Sequence, residues 1–387
     1  LLLMKIVHII TRMIVGGAQE NTLYNCTDLI NDHGDDITLI TGPSLGPEGE
    51  LLTGNSHPKL NMSVAPSLRR NIHPWHDWQA YRQIKQLLRE LQPDIVHTHS
   101  AKAGLLGRWA AHRLKIKGIV HTVHGAPFHP YQNLVPRNLF RYCEKLAARR
   151  CHKLISVCDA MTNQLVAAKV APLEKFTTIY SGMDISEFIN ADSHRASARQ
   201  ELGFSDDDIV VGKIARMFDL KGHEYLVAAA SEIVKSNPAV HFLLVGDGVL
   251  REKIEMQIER TGLSDHFHFT GLVPPTQIPQ YLSAMDILAH TSLREGLARA
   301  LPQALLAGRP IVSFDIDGAK EVCISEETGY LIEPRDVAGL ETAILKLAES
   351  KALRDALGRR GQQICETMYP HQIMTNQIRT LYEQLLA

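Results

Sequence analysis

The chain has 387 residues, of which 45% are hydrophobic and 21% charged, and its formal net charge is −1. This composition is typical of a globular protein with a large core, and no apolar run reaches the roughly 18 residues that span a bilayer, so a membrane-spanning helix is not expected. Six scattered cysteines without a C-x-x-C pair indicate neither a zinc site nor a disulfide framework, and they favour a reducing cytoplasm.

The first half is predicted to alternate between apolar strands and helices. Strands are expected at 5–10, 37–41, 60–64, 95–97, 119–123, 154–157 and 177–180, and helices at 18–32, 76–91, 101–115, 138–150 and 160–168. Residues 1–7 lack the basic leader and cleavage site of a signal peptide, so we interpret them as the start of the first strand. The alternation predicts a parallel sheet covered on both faces.

A polar stretch at 181–208, with one short helix at 193–202, is predicted to be a domain linker. Beyond it, strands are expected at 209–214, 240–245, 267–270, 286–289 and 311–314, and helices at 225–236, 250–261, 277–284 and 298–307. This second alternation predicts a second doubly wound domain. Ligands of such sheets bind beyond the carboxyl ends of the strands, so a cleft between the domains is the expected site. A last helix, at 371–386, is expected to pack back on the first domain.

The two halves differ in charge. Residues 1–185 carry 21 Lys and Arg against 14 Asp and Glu, whereas the remainder carries 20 against 28. Several of the cations lie on the predicted helix at 138–150, which also has an apolar stripe of Leu139, Phe140, Tyr142, Cys143 and Leu146. This helix could contact an anionic membrane, but the interpretation we favour is a solvated face whose apolar stripe packs on the protein.

Charged residues follow two strands of the second half. Arg216 follows the strand at 209–214 and Lys221 leads into the next helix, so two cations can meet at one sheet edge, as a diphosphate requires. Glu295 follows the strand at 286–289 and precedes the amides of a predicted helix start. That arrangement suits a polyhydroxylated, anionic ligand, and an acid that only favours the helix dipole is an equally good interpretation.

Glycines follow strands in both halves. Gly246 and Gly248 come after the strand at 240–245, and Gly16 and Gly17 come after the first strand. Each pair lets the backbone approach a phosphate or makes an ordinary tight turn. Neither pair completes a G-x-G-x-x-G pattern, which argues against a nicotinamide-dependent dehydrogenase.

Histidines cluster in the first half, at His97, His99, His121, His124 and His129. Imidazoles at i and i+2 of a strand share a face, as in metal sites, but no carboxylate stands at ligand spacing. We therefore predict no metal site and a structural role for His97 and His121. His124 lies just past a strand end and is expected to face the cleft.

In this order the motifs resemble those of the retaining glycosyltransferases of family 4. They are Gly16-Gly17-Ala18, Pro93-Asp94-Ile95-Val96-His97-Thr98-His99, His121-Thr122-Val123-His124-Gly125, Tyr180-Ser181-Gly182-Met183-Asp184, Arg216 with Lys221-Gly222, Gly246-Asp247-Gly248, and Glu295-Gly296-Leu297. The resemblance covers essentially the whole chain. It implies an α/β protein of GT-B fold, with two doubly wound Rossmann-like domains facing a cleft. Residues 1–185, with the helix 371–387, would bind the acceptor, and residues 186–370 would bind the nucleotide sugar.

The resemblance also implies roles for individual residues. Arg216 and Lys221 would grip the donor diphosphate, Glu295 would hold the transferred sugar, and His124 would approach that sugar. The other expected donor contacts are Gly16, Gly17, Gly246, Gly248, Gly296, Leu297, Ala298, Gln303 and Glu321. Glu321 stands where such chains carry a further acid, with helix capping as its alternative. Gln303 departs from the family, which has a second glutamate there, but its amide can still hydrogen-bond ribose hydroxyls.

The implied reaction moves a hexose from a nucleotide-diphosphate sugar to a saccharide or lipid-linked saccharide, in polysaccharide or lipopolysaccharide synthesis. It retains the anomeric configuration and uses neither metal nor bound cofactor. The departing diphosphate takes the acceptor's proton, so no carboxylate pair of the glycoside hydrolase kind is needed. The acceptor is expected at loops 42–56 and 126–136, with peripheral contact at the inner face of the plasma membrane and no nucleic acid partner. The alternatives are a nucleotide-sugar epimerase and a non-catalytic sugar-nucleotide-binding subunit.

Overall fold

The computed structural model describes residues 3–43, 51 and 59–387. The chain forms two compact units: an N-terminal unit, Leu1–Met183 with Tyr369–Ala387, and a C-terminal unit, Asp184–Met368. Most of the expected acceptor loop at 42–56 lies outside the described residues. None of the helices among the described residues combines the length and the hydropathy of a membrane span.

The N-terminal unit contains a seven-stranded parallel sheet in the order β3-β2-β1-β4-β5-β6-β7. Its elements are β1 (Lys5–Ile10), α1 (Gly17–His33), β2 (Asp36–Thr41), β3 (Asn61–Val64), α2 (Pro74–Leu91), β4 (Ile95–His99), α3 (Ala101–Arg113), β5 (Gly118–Val123), α4 (Leu134–Ala148), β6 (Lys153–Ser156), α5 (Asp159–Ala167) and β7 (Phe176–Thr178), with a 3₁₀ helix at Leu173–Lys175. The strand order reverses direction between β1 and β4. Because crossovers are right-handed, this reversal places helices on both faces of the sheet.

The C-terminal unit contains a six-stranded parallel sheet in the order β10-β9-β8-β11-β12-β13. Its elements are α6 (Ser186–Ile189), α7 (Arg195–Leu202), β8 (Ile209–Ile214), α8 (His223–Ser236), β9 (Val240–Val245), α9 (Arg251–Thr261), β10 (Phe267–Gly271), α10 (Ile278–Ala284), β11 (Ile287–His290), α11 (Ala300–Leu306), β12 (Ile311–Phe314), β13 (Gly329–Ile332), α12 (Val337–Ala348) and α13 (Lys351–Met368), with 3₁₀ helices at Ala191–His194, Ser264–His266, Pro275–Gln277 and Ala319–Glu321. The direction of the strand order reverses between β8 and β11, so residues beyond these two strands flank the expected ligand crevice.

The predicted linker at 181–208 contains the boundary between the units, after Met183, and the predicted helix at 193–202 is α7. Most of this stretch is not a linker, however, because α6, α7 and the 3₁₀ helix between them belong to the C-terminal unit. Arg195 Nη2 donates to Asp286 Oδ1 at 2.7 Å, and Arg199 Nη1 lies 3.3 Å from Asp286 Oδ2. The Asp286 carboxylate stands just before β11 and also accepts the Val210 amide of β8. The polar composition that suggested a linker is therefore an ion-pair network that ties α7 to the sheet.

The observed helix α4 differs from the prediction in two ways. It begins at Leu134, four residues earlier than predicted, and the apolar stripe that we expected to pack on the protein is partly in solvent. Leu139 is 55% exposed and Tyr142 is 59% exposed. The buried face carries Glu144, Ala147 and Ala148 instead, because the Glu144 carboxylate pairs with the buried Arg108 at 3.0 Å.

The last helix, α14 (His371–Leu386), packs in the N-terminal unit against α1. Its buried apolar side chains join the core beneath the first strands. The polypeptide leaves the N-terminal unit after Met183 and returns to it at Tyr369, and these two segments lie side by side. The Met183 amide donates to the Tyr369 carbonyl at 2.8 Å. A Cβ on Gly182 would lie 2.4 Å from His371 Cα, so this crossing requires glycine.

Candidate active site

In the C-terminal unit, two predicted site residues meet at the β8/β11 switch point. Lys221 follows β8 and Glu295 follows β11, and Lys221 Nζ lies 2.5 Å from Glu295 Oε1. Each side chain keeps about a fifth of its surface exposed, at 22% and 20%. The sequence indicated each residue separately, and the ion pair between them is a finding of the structure.

The turn before α8 holds Lys221 in place. Gly222 has a φ of +68°, and a Cβ there would lie 1.9 Å from the Thr291 carbonyl oxygen, so only glycine fits against the end of β11. The Leu293 amide donates to the Leu220 carbonyl at 2.8 Å. The segments after β8 and after β11 are thus fastened to each other by backbone contacts, which brings Lys221 to Glu295.

Arg216 occupies a different position from Lys221. Its side chain is exposed, and its guanidinium carbon lies 5.1 Å from the centre of the Phe218 ring. Within the described part of the chain, Arg216 forms no salt bridge. Arg216 is therefore a cation that an anionic ligand can neutralise, whereas Lys221 already has a carboxylate partner.

Gly246 and Gly248 shape the backbone around Arg216. A Cβ on Gly246 would lie 2.3 Å from the Ala215 carbonyl oxygen, and one on Gly248 would lie 2.4 Å from the Met217 carbonyl oxygen. The Met217 amide also donates to the Asp247 carbonyl at 2.9 Å. The turn after β9 packs directly on the segment that carries Arg216, so these glycines are explained by packing before any ligand contact is considered.

The segment from Glu295 to α11 differs from the prediction. Helix α11 begins at Ala300 and has seven residues, so the amides of Gly296, Leu297 and Ala298 precede the helix instead of forming its first turn. The Glu295 amide itself donates to Asp317 Oδ2 at 2.7 Å. A loop held by an aspartate, and not a helix terminus, positions this carboxylate.

The remaining predicted donor contacts surround this loop. Gln303 lies on α11 and is half-buried, and Glu321 ends the 3₁₀ helix Ala319–Glu321, also half-buried. The Glu321 amide donates to the Gly318 carbonyl at 3.1 Å, and the Gly318 amide lies 3.4 Å from the Gly296 carbonyl. Glu321 is thus linked through the 3₁₀ turn to the Glu295 loop.

The electrostatics of this site depend on burial. Burial is the largest single influence on Glu295 and raises its pKa, but the adjacent Lys221 ammonium and the other neighbouring groups together hold that pKa below its ordinary value. His290 Nε2 lies 3.9 Å from Glu295 Oε1, and burial lowers the pKa of His290 to about 3, so this imidazole is neutral at pH 7. The arrangement keeps an ionised carboxylate beside one ammonium and one neutral ring.

Lys213 was missed by the sequence analysis. It lies in β8, is 1% exposed, and donates from Nζ to Thr291 Oγ1 at 2.9 Å. Burial and then the nearby Lys221 lower the pKa of Lys213 to about 7. A lysine inside the otherwise apolar run of β8 was the signal in the sequence.

In the N-terminal unit, Gly16 precedes α1 and Gly17 is its first residue, one position earlier than predicted. The Gly16 carbonyl accepts the Gln19 amide at 3.1 Å and the Glu20 amide at 3.0 Å. This pair therefore begins the helix at the carboxyl edge of the sheet, as the sequence indicated.

His124 follows β5 and belongs to a cluster of imidazoles at the same sheet. His99 Nδ1 lies 3.1 Å from His124 Nε2, and His99 Nε2 lies 3.0 Å from His8 Nδ1. His8 was missed in the sequence analysis, although it is the one polar residue between the apolar residues of β1. His97 and His121 have the structural contacts that we predicted, including 3.0 Å from His121 Nδ1 to the Thr98 carbonyl.

Three of these rings, His8, His97 and His99, place ring nitrogens within 4.8 Å of one another, as metal ligands do. Both nitrogens of His97 are engaged, Nδ1 by the Tyr382 hydroxyl and Nε2 by Thr122 Oγ1 at 2.7 Å. Both nitrogens of His99 are engaged as well. A metal would have to displace these hydrogen bonds, so we assign the cluster a hydrogen-bonding role.

Lys102, at the start of α3, has its ammonium group engaged by other residues of the N-terminal unit. Its Nζ lies 2.5 Å from Asp77 Oδ1 and also donates to the Asn71 carbonyl. The ion pair joins the starts of α2 and α3. It is a structural contact.

Comparison with known proteins agrees with this architecture. The model of Glycosyltransferase Family 4 matches residues 15–187, and that of Glycosyl transferases group 1 matches residues 194–364. Among relatives, the UDP-Gal:alpha-D-GlcNAc-diphosphoundecaprenol alpha-1,3-galactosyltransferase of Escherichia coli is 28% identical over 351 residues, which are 90% of this chain and 89% of that protein.

Solved structures share the fold. HepE of Anabaena, in complex with UDP, has a TM-score of 0.81 at 23% identity and covers 98% of this chain and 100% of its own. Sucrose-phosphate synthase from Thermosynechococcus elongatus has a TM-score of 0.83 at 20% identity, over 98% of both chains. The two family models cover successive stretches that make up most of the sequence. The chain belongs to the group 1 glycosyltransferases of family 4, and its two parallel-sheet Rossmann-like units have the GT-B fold.

Proposed function

We propose that this glycosyltransferase moves a hexose from a nucleotide-diphosphate sugar to a hydroxyl of a saccharide or lipid-linked saccharide, with retention of the anomeric configuration. The observation that carries the proposal is the Lys221–Glu295 pair at the β8/β11 switch point, with the exposed Arg216 after the same strand β8. Ligands of open α/β sheets bind at such a point, and cations there suit a diphosphate.

The two cations would act on the leaving group. In the transition state, the bond between the sugar and the diphosphate breaks and negative charge builds on the departing phosphate oxygen. Arg216 offers a planar donor fork and Lys221 a point charge to that oxygen. Glu295 would accept hydrogen bonds from sugar hydroxyls, and it is ionised at neutral pH because Lys221 holds its pKa low.

Retention follows if the acceptor hydroxyl arrives on the face that the diphosphate leaves. The sugar then passes through an oxocarbenium-like state, and the departing diphosphate takes the acceptor's proton. The negative charge on the departing diphosphate is neutralised by Arg216 and Lys221, so we expect activity to persist in EDTA. Product analysis by NMR, which distinguishes α from β linkages, tests retention directly.

Variants of the two cations test the proposed site. Arg216→Ala and Lys221→Ala are expected to lower kcat by about two orders of magnitude or more, since each removes a charge from the leaving group. Lys253→Ala, at an exposed cation on α9, is the control and should leave kcat unchanged. Near-normal turnover in both site variants would contradict the proposal.

A screen of nucleotides tests the donor class. The Escherichia coli relative is named for a UDP-sugar donor, which supports testing UDP first and GDP and ADP beside it. A nucleotide at about 100 times its Kd should stabilise the protein by about 2.7 kcal/mol. Release of nucleotide only when an acceptor is present would distinguish transfer from an epimerase, and any nucleotide release at all would distinguish it from a binding subunit without turnover.

A lipid-linked acceptor is supported by the outward face of α4. Val135 and Leu134 at its start are 80% and 70% exposed, and Leu139 and Tyr142 continue the same exposed surface. Val135, Leu139 and Tyr142 are spaced by four and three residues, so they share one side of the helix. An apolar stripe that faces solvent, with cations beside it, is typical of helices that lie in a membrane interface.

A cationic groove adjoins this helix. It has a volume of about 360 Å³ and is lined by four basic side chains, Lys145, Arg149, Lys169 and Lys175. Each cation near an anionic bilayer contributes about 1 kcal/mol. We therefore propose that the face of α4 with this groove, and not the N-terminal unit as a whole, contacts an anionic membrane at the place where a lipid-linked acceptor is presented.

Flotation with vesicles tests this surface. The protein is expected to float with phosphatidylglycerol vesicles at low salt, less at high salt, and not with phosphatidylcholine vesicles alone. The double variant Leu139→Ser and Tyr142→Ser should weaken binding, whereas Met256→Ser, at an exposed apolar residue of α9, should not. Binding that is equal in both variants would contradict the assignment of this face.

A further inference from the structure

Three imidazoles form a hydrogen-bonded chain from the buried sheet of the N-terminal unit to its carboxyl edge. His8 Nδ1 lies 3.0 Å from His99 Nε2, and His99 Nδ1 lies 3.1 Å from His124 Nε2. The rings stack, with centroids 5.3 Å apart for the first pair and 5.4 Å for the second. The register of β1 on β4 and of β4 on β5 sets these distances.

The two inner rings are neutral. His8 and His99 are fully buried, and burial lowers the pKa of His8 to about 3 and that of His99 well below its ordinary value. A neutral imidazole has one N–H donor and one bare nitrogen acceptor. His99 must therefore accept from one neighbour and donate to the other. Both hydrogen bonds then run in the same direction, either from His8 to His124 (outward) or from His124 to His8 (inward).

The surroundings of His8, at the buried end of the three imidazoles, determine the direction of the hydrogen bonds. His8 Nε2 is buried, and among the described residues it has no hydrogen-bond partner. If the bonds pointed inward, His8 would accept at Nδ1 and carry its proton on Nε2, which would leave an N–H buried without an acceptor. Either kind of unpartnered buried group costs about 1–3 kcal/mol, but among backbone groups unpartnered N–H donors are rarer than unpartnered acceptors. If the hydrogen bonds run outward, His8 Nε2 carries no proton, and only its lone pair is left without a partner.

We infer that His8 and His99 are positioning residues that hold His124 in the tautomer with its proton on Nδ1. His8 donates from Nδ1 to His99 Nε2, and His99 donates from Nδ1 to His124 Nε2. The lone pair of His124 Nε2 is thereby occupied, and the ring carries its own N–H on Nδ1. Any role of His124 toward the transferred sugar rests on the proposed function, whereas the tautomer does not.

NMR of the full-length protein with ¹³C,¹⁵N-labelled histidine tests the tautomers without any ligand. The expected result is that His8, His99 and His124 all carry the proton on Nδ1, although an isolated imidazole side chain favours Nε2. Single substitutions of the three residues assign the signals. A proton on Nε2 of His99 or of His124 in the wild-type protein would overturn the inference.

Two variants of similar size test the donor at His8. His8→Leu removes the donor, so His124 is expected to lose its uniform Nδ1 tautomer. His8→Asn restores an N–H near the former Nδ1, so the tautomer should be kept. His121→Asn is the control, because that ring is buried in the same sheet but bonds to Thr98 instead of joining the chain. Loss of the tautomer in the Asn variants as well would overturn the inference.

Kinetics show whether positioning matters for the reaction. His8→Leu is expected to lower kcat by about tenfold or more with little change in KM for the donor, as when an orienting partner of an active-site histidine is lost. His8→Asn should recover most of the rate. Unchanged kcat in His8→Leu would overturn the positioning role. Failure of the proposed function would show itself differently, as wild-type protein that neither binds a nucleotide nor transfers sugar.

Discussion

Lys221 and Glu295 are 74 residues apart in the sequence, yet their side chains lie 2.5 Å apart at the carboxyl edge of the C-terminal sheet. Replacing either partner alone leaves a partly buried charge, so Lys221→Met and Glu295→Gln should each lower stability by about 1–3 kcal/mol. The double variant should lose less than the sum, because both charges are then gone. Calorimetric Tm values of the four proteins give the coupling.

The same pair predicts a pH dependence. The folded pKa of Glu295 lies below the ordinary value of 4.5, since the effect of burial is exceeded by Lys221 and the other neighbouring groups acting together. The carboxylate therefore stabilises the fold above pH 4.5, and this contribution is lost as the pH falls below it. The Tm difference between wild type and Glu295→Gln should shrink from pH 7 to pH 3. Asp355→Asn, in the exposed Lys351–Asp355 pair, should show little difference at either pH. A constant difference for Glu295→Gln would contradict the assigned pKa.

Substitutions of Gly222 and Gly262 distinguish the cost of backbone strain from the cost of a steric clash. Their φ angles are +68° and +71°, but a Cβ on Gly222 would lie 1.9 Å from the Thr291 carbonyl, whereas one on Gly262 would meet nothing within 4 Å. Gly262→Ala should lower stability by about 1–2 kcal/mol, the left-handed penalty alone. Gly222→Ala should cost more and also weaken nucleotide binding, because the Lys221 turn must move. Thermal shift with UDP measures both effects, and equal losses in the two variants would show that the packing contact is unimportant.

The sequence predicted most of the fold because the strands of parallel sheets are buried on both sides and therefore apolar. Strand β9, Val240–Val245, was predicted at its observed bounds. Strand β13 was not predicted, since it has four residues, lies at the sheet edge and is mostly half-buried. The residues of α7 were predicted to be helical but were placed in a linker, because Arg195 and Arg199 make their contacts with a residue far away in the sequence.

The sequence predicted several residues of the candidate site but not the contacts between them. Lys221 and Glu295 were found because each follows a strand, which local sequence can show. Their pairing depends on which strands are neighbours, and the sequence does not contain that information directly. Lys213 and His8 were missed because a polar residue within an apolar strand was not treated as a signal. Both are buried and polar, and such residues are the ones that most need a partner.

Lys213 predicts a substitution that stabilises the protein. Its folded pKa is about 7 and the ordinary value is 10.5, so the charged form is disfavoured in the folded state. Above pH 10.5 the lysine is neutral in both states and costs nothing. As the pH falls to 7, the unfolded chain gains the proton before the folded protein does, and the cost rises to roughly 5 kcal/mol and then stays constant. Lys213→Met should therefore raise stability at pH 7 and much less at pH 10.

Urea denaturation at both pH values measures this gain, with Lys235→Met as the control because Lys235 is exposed on α8. The control should change stability little at either pH. A loss of sugar transfer together with a gain in stability would indicate that Lys213 is retained for activity. A destabilising effect of Lys213→Met at pH 7, or an equal effect at pH 7 and pH 10, would contradict this prediction.

Arg379 and Asp35 predict how firmly α14 is attached. Arg379 Nε lies 3.1 Å from Asp35 Oδ2, and the two side chains are 4% and 0% exposed. Asp35 Oδ1 also accepts the Met4 amide at 3.0 Å, just before β1. Arg379→Met leaves this buried carboxylate without its cation, so it should lower stability by about 3–5 kcal/mol. Arg360→Met, in an exposed pair with Glu327, should cost less than about 1 kcal/mol. Limited proteolysis should release the C-terminal helix faster from Arg379→Met than from Arg360→Met, and equal rates would mean that the apolar side chains of α14 hold it without the ion pair.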